Sequence, residues 1–106
     1  YDLTVHQPVE HSQLDQNYSN PFNPETWIPF QLKSASPVVI SIYDSTGKMI
    51  RELDLGYRVA GPHINRQEAA YWDGRNRWAE PVSSGIYFYH LKTNDNVSIK
   101  KMTVLK

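Results

Sequence analysis

Residues 85–93 read GIYFYHLKT. Tyr87, Tyr89 and Leu91 alternate there with Ile86, Phe88 and His90, so on an extended chain each set lines one face. Aromatic and branched residues at a period of two suit a pleated, half-buried surface. Gly85 and the Asn94-Asp95-Asn96 triplet bound the run with turn chemistry. The same alternation recurs on both sides. Downstream, VSIKKMTVLK at 97–106 reads as a last strand. Upstream, PVVISIYD at 37–44 sets Val38, Ile40 and Ile42 against Val39, Ser41 and Tyr43. Asp44-Ser45-Thr46-Gly47 is a tight turn, which makes KMIRELDL at 48–55 the hairpin partner.

Further out, TWIPFQLK at 26–33 places Ile28, Phe30 and Leu32 on one face. Pro29 cannot donate a ladder hydrogen bond, so this strand is expected at an edge. Residues 56–67 hold two Gly and a Pro and read as a crossing between sheets. EAAYWD at 68–73 is a short strand ending at Trp72, and GRNRWAEPVSSG at 74–85 is a long turn-rich loop. No window carries a helical period. About seven short strands separated by turn signals predict an all-β fold, an immunoglobulin-like antiparallel β-sandwich. The 106 residues suffice for one such domain, expected over 14–106, with polar, Pro8-containing residues 1–13 as a linker or short edge strand.

Bulk chemistry narrows the function. Eleven basic and eleven acidic residues cancel, which argues against a nucleic-acid partner. The first 32 residues carry Asp2, Glu10, Asp15 and Glu25 and no Lys or Arg, whereas Lys92, Lys100, Lys101 and Lys106 give a mildly basic end. The chain has no cysteine, hence no disulfide framework. No apolar run approaches the ~20 residues of a membrane span, and no signal peptide is visible. Beginning at YDLTVHQPVEH, the chain reads as a piece of something longer.

Five stretches together carry a family likeness. LDQNYSNPFNPETWIPFQL resembles the opening of the C-terminal sorting domains of the type IX secretion system, with Ser19 where proline is usual. VVISIYDSTGKMIREL is similar to that family's second hairpin, and YWDGRN to its Trp-Asp-Gly-Arg-Asp turn, Asn76 replacing the final Asp. SSGIYFYHL matches its Ser-Gly-x-Tyr-x-Tyr strand, and KKMTVLK its short basic and apolar last strand. Ala79 stands where a glycine is common, and the segment from Gly61 to Trp72 is longer than usual. A related immunoglobulin-like module occurs in the flagellar hook-capping protein. The resemblance implies a non-catalytic export and sorting signal at the end of an upstream passenger domain. It implies folding in the periplasm and recognition by outer-membrane secretion proteins. It further implies removal by a sortase-like peptidase and a destination at the outer-membrane surface or outside the cell.

Trp72, Asp73, Gly74 and Arg75 read as a structural loop motif: Asp73 bonds backbone N–H groups two residues on, Gly74 supplies a left-handed conformation, and Trp72 packs beneath. Gly85 and Tyr87 join it as structural residues through the matched strand. Asp73 and Asn76 are oxygen donors of the calcium-binding type, but one carboxylate is too few for a tight site, so no cofactor is expected. His6, Glu10 and His11 lack helical spacing and read as solvated. Ser83-Ser84-Gly85 makes no nucleophile elbow, and no acid–base pair suggests an enzyme. Trp27 and Trp78 are candidate ring platforms for a carbohydrate, the alternative function; a structural assembly module is a further one. The terminal strand, with Lys100, Lys101, Met102, Val104, Leu105 and Lys106, is the expected partner-recognition site, gripped by edge pairing.

Overall fold

The computed structural model describes residues 10–22 and 24–106, and every regular element among them is a β-strand. In chain order these are β1 (Gln13–Leu14), β2 (Thr26–Ile28), β3 (Phe30–Leu32), β4 (Ser36–Asp44) and β5 (Met49–Arg58). Then come β6 (Gly61–His63), β7 (Ala70–Trp72), β8 (Gly85–Lys92) and β9 (Val97–Val104). β5, β4, β8 and β9 form a four-stranded antiparallel sheet in that order. Facing it are a three-stranded sheet, β1-β3-β6, and a two-stranded one, β2-β7. The all-β sandwich is therefore as the alternation predicts, but with nine short strands where about seven were expected.

Pro29 explains part of the difference. The stretch 26–33 is not one edge strand. Its first half pairs with β7 and its second half with β1 and β6, and Pro29, which cannot serve a ladder, sits at the switch. Ile28, Phe30 and Leu32 all remain 0% exposed, so the inward face is continuous across the switch. The connection 56–67 does cross from one layer to the other, but Gly56–Arg58 still belongs to β5 and Gly61–His63 forms β6. A register shift at Val38/Val39 accommodates the crossing: Gly56 takes φ +68°, and Asp54 Oδ1 accepts its N–H at 3.0 Å.

The core is built from the predicted faces. Val38, Ile40 and Ile42 from β4 and Tyr89 and Leu91 from β8 meet Ile28, Phe30, Leu32 and Trp72 from the opposite layer. Each such side chain, fully removed from water, contributes about 1.5–3 kcal/mol before entropy is counted.

The Tyr89 hydroxyl is a polar group set inside this core. Tyr89 is 0% exposed, and its hydroxyl donates to the Asp15 carbonyl at 2.8 Å while accepting the Asn17 N–H at 2.8 Å. Residues 12–22, which hold almost no regular structure, are thereby fixed against β8. Ser12 anchors the start of the segment: its Oγ donates to Asp95 at 2.6 Å, and Asn96 Nδ2 donates to its carbonyl at 2.6 Å. Ser12 thus ties the segment to the fold two residues before Leu14.

Burial pushes the Tyr89 hydroxyl up to about 12, against about 10 in an unfolded chain. The folded pKa is the higher one, so this stabilisation is complete below pH ~10 and is lost as pH rises towards ~12. Tyr89→Phe should cost about 1–3 kcal/mol at neutral pH, because a buried donor and a buried acceptor lose their partner. It should also flatten the fall in stability between those pH values. Denaturant unfolding at several pH values measures both effects.

Candidate functional site

β9 lies at the edge of the four-stranded sheet, as a strand read by another protein requires. Its side chains divide by parity. Met102 and Val104 are 0% and 2% exposed and belong to the core, which corrects their assignment to partner recognition. Lys100 is half-buried, whereas Lys101, Leu105 and Lys106 face solvent. The cause is the pleat: Met102 and Val104 lie opposite Tyr87 and Gly85 on the inward side.

The backbone of β9 is less open than edge pairing would need. Phe22 N–H donates to Thr103 O and Leu105 N–H to Phe22 O, both at 3.1 Å. Thr103 N–H donates to Asn20 Oδ1 at 2.9 Å, and Gln16 Nε2 donates to Lys101 O at 2.9 Å. Lys106 N–H reaches Ser84 Oγ at 2.9 Å. The Asn- and Pro-rich segment 16–22 therefore occupies the ladder positions at the end of β9. What this end offers a partner is its outward side chains, and this corrects the expectation of an open ribbon.

The loop after β7 is built as its residues dictate. Asp73 Oδ1 accepts the Arg75 N–H at 3.0 Å, and Trp72, 0% exposed, donates its ring N–H to Arg75 O at 2.9 Å. Gly74 has φ +77°, and a Cβ on it would lie 2.2 Å from the Pro24 carbonyl oxygen. The loop is thereby seated on the segment that precedes β2. Arg51 from β5 adds an ion pair with Asp73 at 3.0 Å and donates to Arg75 O. Ala79 takes φ 63°, the left-handed conformation that suits glycine. Tyr87 donates to Ser83 O at 2.8 Å and holds the loop's end; burial raises its hydroxyl pKa. Gly85, φ +152°, opens β8.

The calcium-type donors are turned elsewhere. Asp73 faces Arg51, and Asn76 Oδ1 accepts the N–H groups of Trp78 and Glu80. Among the described residues no group of three or more His, Cys, Asp or Glu is placed to hold a metal. Glu10 and His11 are exposed, and His6 lies outside the described residues. His90 is half-buried edge-on to Tyr43.

Trp27 and Trp78 do not form a platform. Trp27 stacks with Tyr18 (6.1 Å, 19°), is tilted against Tyr71, and carries the Arg66 guanidinium 4.1 Å from its ring centre. Trp78, 65% exposed, sits in the loop after β7 beside Arg77. The Tyr18–Trp27–Tyr71 row, the Arg51 and Arg66 contacts and the Ser12–Asp95 tie were not foreseen, since each joins segments far apart in sequence. The abundance of Asn around Pro21 was a usable signal for Asn20, because Asn side chains commonly bond nearby backbone.

Comparison with known proteins gives a family and a fold. The family model described as the secretion system C-terminal sorting domain matches residues 16–105. No curated protein sequence matches the chain. Among solved structures, dimeric latent PorU from Porphyromonas gingivalis is similar over 95% of this chain and 10% of its own, with a TM-score of 0.71 and 21% identity. PorZ, an essential surface component of the type IX secretion system of the same bacterium, is similar over 86% of this chain and 11% of its own (TM-score 0.57, 18% identity). FlgD from P. aeruginosa aligns with 92% of this chain and 75% of its own (TM-score 0.57, 16% identity). The chain thus spans about a tenth of the length of PorU and PorZ.

The loop geometry separates two glycine exchanges. Gly74→Ala should destabilise by more than about 3 kcal/mol, because backbone must move to admit the methyl group. Ala79→Gly should be neutral or stabilising by up to ~1 kcal/mol, as relief at positive φ outweighs added freedom in the unfolded chain. Thermal unfolding of both variants tests the pair.

Proposed function

This chain belongs to the family of type IX secretion system C-terminal sorting domains, and on that premise we propose that it is the export signal of a larger secreted bacterial protein, read through its terminal strand by the outer-membrane secretion machinery. The observation that carries the reading is the family match over residues 16–105, which extends through the whole of β9 and one residue beyond it.

Physical features support the terminal strand as the part that is read. It lies at a sheet edge, it is held in register on both sides, and Lys101, Leu105 and Lys106 project from it into solvent. Two cations around one apolar group, on a backbone hydrogen-bonded on both sides, form a small preorganised epitope, and preorganisation lowers the entropy cost of binding. An acidic partner surface with an apolar pocket would fit it. The passenger lies upstream of Tyr1, and a sortase-like peptidase separates it from the domain at the cell surface. The family is one of sorting signals, and we read this chain as non-catalytic. A carbohydrate-binding role is not favoured, since Arg66 caps Trp27 and Trp78 stands apart.

A reporter domain fused ahead of this chain should reach the surface of a bacterium that has the secretion system. Removing Leu105 and Lys106 should abolish export while shifting Tm by only a few degrees, since both side chains are exposed. Met102→Ala should act differently, lowering stability by about 2–5 kcal/mol through a core cavity. Normal export of the shortened fusion would refute the role assigned to the strand.

A further inference from the structure

Both edges of the four-stranded sheet are partly covered, but not alike. On β5, Arg77 N–H donates to Ile50 O at 2.8 Å, its side chain donates to Met49 O at 2.9 Å, and the exposed carboxylates of Glu52 and Asp54 follow along the strand. Charge and a covering loop both guard a sheet edge against added strands. On β9 only the second half is covered, by segment 16–22. Its first half carries Val97 and Ile99, which are 61% and 62% exposed.

The backbone of that first half is unpaired on its outer side. Thr103 turns its N–H and C=O away from β8, to Asn20 and Phe22. The β8–β9 register runs without a shift from Gly85↔Val104 to Lys92↔Val97, so Val97, Ile99 and Lys101 turn theirs the same way. Lys101 O accepts from the Gln16 side chain. Among the described residues, no hydrogen bond reaches the N–H or C=O of Val97 and Ile99, or the N–H of Lys101. Backbone donors and acceptors held in strand geometry, beside two exposed β-branched side chains, are what an added strand binds.

A second copy of the chain fits this edge poorly. Set antiparallel about Ile99, its β9 would bring Asp95 level with Thr103, where Asn20 and Phe22 already lie. Set parallel and in register, it would put Lys100 and Lys101 beside their own counterparts. A short segment of another protein, without those lysines, meets neither obstacle. Resting on the reading of β9 as the recognised strand, we propose that the secretion partner adds an extended segment of its own to the open edge at residues 97–101. Apolar side chains of that segment lie beside Val97 and Ile99, and a carboxylate lies beside Lys101. The cover at Gln16 and Asn20 confines the contact to the first half of β9.

Export of the reporter fusion tests the edge when the backbone alone is changed. Ile99→Pro removes the outward N–H and sets a ring where the added strand would lie. That N–H makes no bond to β8, and proline is tolerated at such positions of edge strands. Export should fall by at least about tenfold, with thermal unfolding lowered by only a few degrees. Ile99→Ala keeps the N–H and should lose only about two- to threefold. Should Ile99→Pro fail to fold, Val97→Pro, at the first residue of β9, carries the same expectation. Native export of a folded proline variant, or an equal loss in Ile99→Ala, overturns the proposal. If the fusion lacking Leu105 and Lys106 is then still retained in the cell, the reading of β9 as the recognised strand stands without the edge; if it too is exported, that reading falls as well.

Discussion

A tyrosine hydroxyl set in an apolar core must find a donor and an acceptor there, and Tyr89 finds both in the backbone of one short segment, at Asn17 and Asp15. This requirement organises much of the molecule. The segment 12–22 has few apolar side chains of its own, so hydrophobic burial alone would not hold it. With Tyr89 satisfied, Leu14 and Phe22 come to rest at 5% and 2% exposure, and Phe22 packs edge-on against Trp72. The opposite partner of the bond is equally constrained, since no other described residue relieves the Tyr89 hydroxyl.

The consequence reaches the end of the chain. Once residues 15–17 are fixed, the residues that follow run beside β9, and Asn20 and Phe22 meet the outward backbone of Thr103 and Leu105. The last strand is therefore framed by β8 on one side and by this segment on the other. The frame leaves the backbone little freedom and turns Lys101, Leu105 and Lys106 outward. The loop after β7 contributes from below: Gly74 admits the Pro24 carbonyl so closely that no side chain could replace its hydrogen. The Asn-Pro segment, the Trp-Asp-Gly-Arg loop and the terminal strand, which look like separate motifs in the sequence, are in contact in the fold.

What could be read from the sequence was whatever depends on neighbours along the chain. The faces of β4 and β8 follow from alternation, and one set on each, Val38, Ile40 and Ile42 with Tyr87, Tyr89 and Leu91, is buried. The Asp73 turn follows from the reach of a short carboxylate. The division of 26–33 between two sheets could not be read, because Pro29 marks a break without saying which strand each half will choose. Nor could the bond from Ser12 to Asp95, which spans 83 positions, or that from Tyr89 to Asp15, which spans 74. Met102 and Val104 are a different case. The alternation that sorts β8 also puts these two on one face of VSIKKMTVLK, with Lys101 on the other, so their burial was available to the same rule.

Amide hydrogen exchange measured residue by residue at the chain's end tests the central claim directly. The N–H groups of Thr103 and Leu105 point away from β8, so only segment 20–22 protects them. In the native chain both should exchange slowly. In Tyr89→Phe they should exchange markedly faster, while Met102 and Val104, which bond to β8, change much less. Fast exchange at Thr103 and Leu105 in the native chain, or protection there that ignores the loss of the Tyr89 hydroxyl, would contradict the account.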